Sequence, residues 1–65
     1  MNQKIMDRIE ELNEVRGMIR KDMEELDKRK GEIPEKKYRK LKEKYEKKLE
    51  KIRLKIKKLE DKLKS

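Results

Sequence analysis

The residues that break helices are concentrated at one place in this chain. It has only two glycines and one proline, and Gly31 and Pro34 stand together near the middle, in Gly31-Glu32-Ile33-Pro34. On either side the sequence is dominated by Lys, Glu, Leu and Ile, most of which are good helix formers. The pattern predicts two helical arms and one connection. Lys28, Arg29 and Lys30 put positive charge where a helix exposes its last carbonyls and its negative dipole end, and Gly31 behind them predicts a left-handed residue closing the first helix. Pro34 lacks a backbone N–H and has φ preset for a first helical turn, while Glu35 suits the positive dipole end. The expected architecture is a single all-α domain: a helix over about 3–30, a turn at 31–34 and a helix over about 35–64. A connection this short makes the arms antiparallel neighbours.

Both arms carry an apolar stripe with coiled-coil spacing. In the first, Ile5, Leu12, Ile19, Leu26 and Ile33 recur every seven residues, with Ile9 and Met23 four residues after Ile5 and Ile19. Arg16 and Lys30 occupy the remaining positions of that second series. Lys30 is explained as helix-end charge, whereas Arg16 within the seam is a candidate register or oligomer-state determinant, or else a stem that packs while its guanidinium reaches water. The second arm gives Tyr38, Leu41, Tyr45, Leu49, Ile52, Ile56, Leu59 and Leu63, spaced 3, 4, 4, 3, 4, 3, 4. The two successive fours are a stutter, which locally unwinds a left-handed supercoil. Pairing across a short turn should bring Leu26 near Tyr38, Ile19 near Tyr45, Leu12 near Ile52, Ile9 near Ile56 and Ile5 near Leu59. Arg16 then falls beside Leu49. Acid-first pairs four apart should brace the surface: Glu24 with Lys28, Glu25 with Arg29, Glu35 with Arg39, Glu43 with Lys47 and Glu60 with Lys64.

Composition limits what such a hairpin can do alone. With 58% charged and 31% hydrophobic residues in 65, a single two-helix layer has little apolar surface for a core. Help from a second copy or a partner is expected, the first giving a homodimer or higher oligomer, with a dimer that forms a four-helix bundle or an antiparallel coiled coil as the main expectation. The Lys- and Glu-rich usage resembles that of hyperthermophile proteins. With no Cys there is no disulfide or thiolate metal site, and no apolar run is long enough for a signal peptide or a membrane span. The expectation is a cytoplasmic protein with no membrane partner.

Charge is divided unequally between the arms. Residues 1–33 hold eight basic and nine acidic side chains, and residues 34–65 hold fifteen and six, so the surplus of +8 lies on the second arm. At about 100° per residue, Lys36, Lys40, Lys44, Lys47, Lys51, Lys55, Lys58 and Lys62 fall in one band away from the apolar stripe. Such a band is a candidate surface for RNA or DNA backbone or for an acidic protein, although a solvated helix face looks the same. Neither interleaved aromatics nor frequent arginines accompany it. Leu54 interrupts the band, and Met6, Val15 and Met18 flank the first arm's stripe as candidates for a second apolar contact.

The residues do not assemble an active site. His and Cys are absent and Ser65 is the only hydroxyl of the Ser/Thr type, so the usual nucleophile and base pairs cannot form. No Gly-rich phosphate loop or metal-ligand spacing is present, and neither a cofactor nor a small-molecule substrate is expected. Leu26, Gly31, Ile33, Glu35 and Tyr38 follow a Leu…Gly-x-Ile-(Thr/Ser)-x-x-x-(Tyr/Phe) pattern, and over about residues 23–45 the chain resembles the short C-terminal (SHOCT) helix-turn-helix element. Pro34 stands in place of the usual Thr or Ser and Lys37 in place of a usual Glu. That resemblance implies an interaction or oligomerisation role. The functional expectation is therefore a non-enzymatic interaction module built on a self-associating hairpin. The alternatives are a small basic nucleic-acid- or ribosome-associated protein and an inhibitor or adaptor ordered on a larger partner.

Overall fold

A computed structural model describes residues 2–64. Helix α1 spans Gln3–Lys28 and helix α2 spans Glu35–Lys64, with a single 3-10 turn at Lys30–Glu32 between them and no strand among the described residues. The helices pack against each other as a hairpin measuring 48 × 14 × 11 Å. At about 1.5 Å per residue the 30-residue α2 sets the long dimension, and the thin third dimension means one layer only.

The connection differs from the expected left-handed stop. No glycine has positive φ, so Gly31 is not a left-handed cap, and α1 ends at Lys28 rather than near residue 30. Arg29 has φ −100° and ψ 11°, and its N–H is shared between the carbonyls of Glu25 (3.3 Å) and Leu26 (3.1 Å). Glu32 N–H then donates to Arg29 O at 2.9 Å, completing the 3-10 turn. Tightening the last turn in this way satisfies terminal carbonyls without a φ > 0 residue. Ile33 is extended at φ −113° and ψ 138°, as the residue before a proline must be to avoid its ring. Pro34 stands just before α2, and its carbonyl accepts the first helical bond from Tyr38 N–H at 3.0 Å.

The apolar stripes meet along the interface. Leu12, Ile19, Ile52 and Ile56 form a buried cluster, with Ile9, Met23, Tyr45, Leu49 and Leu59 half-buried against it. Leu26 and Tyr38 are buried nearer the turn, and Ile5 and Leu63 are half-buried at the far end. Leu41, Tyr45 and Leu49, the three residues that make the stutter, are all half-buried, whereas Tyr38 before them and Ile52 after them are buried. No side chain anywhere among the described residues is completely enclosed.

Candidate interaction surfaces

Two open faces flank the seam. On one, Leu26, Ile33, Leu41 and Tyr45 line a hollow rimmed by Asp22, Glu25 and Arg29. At about 100° per residue, Val15 and Met18 of α1 fall on this same side. Both are exposed, Met18 to 67%. On the other face Arg16, Arg20, Glu46, Leu49, Glu50 and Arg53 share a hollow, which places Arg16 beside Leu49. Arg16 is half-buried and its Nη2 donates to Asn13 Oδ1 at 2.6 Å, so its stem lies on the seam while the guanidinium bonds at the surface. Met6 falls on this second side and is exposed, as is Leu54 on α2.

Beside the turn, the helices are tied by a polar contact that periodicity does not reveal. The Tyr38 hydroxyl donates to Asp27 Oδ1 at 2.5 Å, and Lys42 Nζ donates to the Tyr38 oxygen at 3.3 Å. Lys42 also lies 3.9 Å from Asp27 and 5.6 Å from the Tyr38 ring centre, with Lys30 5.4 Å from the same ring. The bond to Tyr38, and next the Asp27 carboxylate, hold the Lys42 ammonium pKa above the ordinary lysine value. Because a buried tyrosine needs a partner for its hydroxyl, this cluster lets an aromatic ring close the end of the core.

Surface ion pairing follows the helix but not always the expected partner. Glu35 binds Arg39 at 2.7 Å and Glu43 binds Lys47 at 3.4 Å, four residues apart as expected. Glu25 instead meets Lys28 at 3.8 Å, because Arg29 has left the helical register at the turn. Three-apart pairs join Arg8 to Glu11 at 3.2 Å and Arg53 to Glu50 at 2.6 Å, and the Arg53 bond lowers the Glu50 pKa from its ordinary value. Neither Glu24–Lys28 nor Glu60–Lys64 is among the ion pairs formed. All the observed pairs are solvent-exposed, so they favour the helices without deciding the fold.

The lysine band occupies the outer side of α2. Lys36, Lys40, Lys44, Lys47, Lys51, Lys55, Lys58 and Lys62 are all exposed. A shallow hollow between Lys40, Glu43, Lys44 and Lys47 is lined by α2 alone, showing that this stretch of the band faces away from α1. Among the described residues no group of three or more acidic side chains could hold a metal ion, and no helix is long and apolar enough to cross a membrane.

The architecture defined by these observations is a charged, single-layer helical hairpin with an incompletely covered apolar seam. No protein-family model, curated protein or solved structure matches the chain.

Proposed function

We propose that this protein is a non-enzymatic protein–protein interaction module whose first partner is a second copy of itself, joined through the open seam. The observation that carries the reading is the degree of burial: the best-covered residues retain 5–8% exposure, and nothing is fully enclosed. A lone layer of two helices leaves its apolar contact line open to water on both sides. Stacking a second hairpin on the face that carries Leu26, Leu41, Tyr45, Val15 and Met18 removes that surface from water, at about 25 cal/mol per Å² of apolar area. Those residues supply apolar surface for a bundle core, with Asp22, Glu25 and Arg29 at its rim. The turn's likeness to the SHOCT element supports the same interaction role.

The deciding experiment is the solution mass by light scattering on nucleic-acid-free protein, with far-UV circular dichroism in parallel. The expected result is a helical species of at least twice the 8.1 kDa chain mass. Met18→Asp and Leu41→Asp should each return it to monomer, because an unpaired charge cannot be covered within that apolar face. A well-folded, fully helical monomer at high concentration would overturn the proposal. A poorly helical monomer would replace it with that of an adaptor ordered by a larger protein.

A further inference from the structure

The outer face of α2 carries a row of exposed lysines, one stretch of which is lined by α2 alone. The geometry points to this lysine row as a docking surface for the phosphate backbone of nucleic acid, bound without regard to base sequence.

Folding leaves six of the eight lysines of the row without an acidic neighbour among the described residues. Lys36, Lys40, Lys44, Lys51, Lys55 and Lys58 have no carboxylate within ion-pair distance among the described residues, and Lys47 is paired only with Glu43 of its own helix. The ion pair linking the two helices, Lys42 with Asp27, lies off the row. Helix α1 therefore brings its acidic residues to the hairpin without delivering them to these lysines.

Charge arithmetic then chooses the kind of partner. Residues 34–65 carry a surplus of +9 and residues 1–33 a surplus of −1, so every copy retains +8 however the copies pair. Self-association therefore leaves a net surplus that a strongly anionic foreign partner can neutralise. The row is also straight and regular: its 26 residue steps along one helix make it about 39 Å long. Duplex DNA offers one negative charge per about 1.7 Å of axis, counted over both strands, and releases counterions when lysines neutralise its phosphates. Lysine ammoniums act as point charges and need no fixed hydrogen-bonding fork, which suits contact with successive phosphates. The row contains no arginine to read a base edge and no aromatic to stack on one, so the contact is limited to the backbone.

The test is fluorescence anisotropy with a labelled duplex DNA of arbitrary sequence, using the full chain freed of nucleic acid, across a salt series. With about six phosphates contacted, affinity should fall about 10³-fold between about 50 and 200 mM salt, and an unrelated duplex should behave alike. Replacing Lys44, Lys51, Lys55 and Lys58 by Glu should abolish binding and leave helicity intact. Replacing Lys21, Lys28, Lys57 and Lys64 by Glu changes the total charge equally, yet lies off the row and should cost far less. The single variants Lys51→Gln and Lys55→Gln provide the same reading should the fourfold variant unfold, each reducing the salt slope by about 0.9. Equal losses from the two fourfold variants, or no duplex binding at low salt, would overturn the proposal. Row-dependent binding to polyglutamate as tight as to the duplex would overturn it in favour of an acidic protein partner.

Discussion

At the residue scale, Tyr38 is the side chain on which most contacts converge. It buries its ring next to the turn, donates to Asp27 and accepts from Lys42. Tyr38→Phe keeps the ring and removes the hydroxyl, so it should cost about 1 kcal/mol in a denaturant melt, a modest value because Asp27 remains accessible to water. The Lys42 contact gives this contribution a pH dependence. Its pKa is raised in the folded state, so its stabilisation is complete below the ordinary lysine value and is lost as pH rises through the raised one. The loss therefore belongs above the ordinary lysine value. In alkaline melts, Lys42→Met should lower stability at neutral pH and show a shallower decline above that point than the parent; an unchanged decline would remove Lys42 from the account. The glycines provide a third residue-scale test. A Cβ on Gly17 or Gly31 meets nothing within 4 Å, and neither glycine has positive φ. Gly17→Ala should raise stability by about 0.5–1 kcal/mol through helix propensity, and Gly31→Ala by about 0.4–1 kcal/mol through the unfolded chain's entropy. Destabilisation by Gly31→Ala would show that the turn uses a left-handed residue after all.

At the element scale, the two helices differ in what holds them. Helix α1 carries three of the buried core residues, Leu12, Ile19 and Leu26, spaced by strict sevens. Helix α2 carries Tyr38, Ile52 and Ile56, with the stutter between Tyr38 and Ile52. The stutter coincides with hollows on both faces of the hairpin, one touching Leu41 and Tyr45 and the other Leu49. Loss of packing there makes this the segment where a second hairpin gains most by docking. Leu41→Asp therefore tests the interface from the half-buried side of α2 and Met18→Asp from the exposed side of α1, and the mass should respond to both.

At the whole-molecule scale, the chain combines an apolar seam with a charged outer face, and salt acts on them in opposite directions. Each copy carries +8, so self-association brings like charges together and should strengthen as salt screens them. Backbone binding should weaken over the same range because counterion release loses its drive. Sedimentation across a salt series, with and without duplex DNA, should therefore show the oligomer persisting at high salt after the nucleic acid has dissociated. Simultaneous loss of both would mean that nucleic acid bridges the copies and that the seam contributes little.

Much of this organisation was legible in the residues themselves. Seven-residue spacing from Ile5 to Leu26 and the run from Tyr38 to Leu63 are local properties, so periodicity alone placed them on the contact line of two helices. Pro34 dictated an extended Ile33 for the same reason, since the constraint lies between neighbours. The uneven charge of the arms is likewise a matter of counting. Tertiary structure decided what depends on the arms being brought together: that Tyr38 reaches Asp27 across the turn, and that the stutter residues stay half-buried. It also replaced a left-handed Gly31 with a 3-10 turn, because the path between two packed helices is set by where both must arrive. Local sequence specifies periodicity and propensity, whereas contacts between distant residues depend on register and approach that no single arm contains.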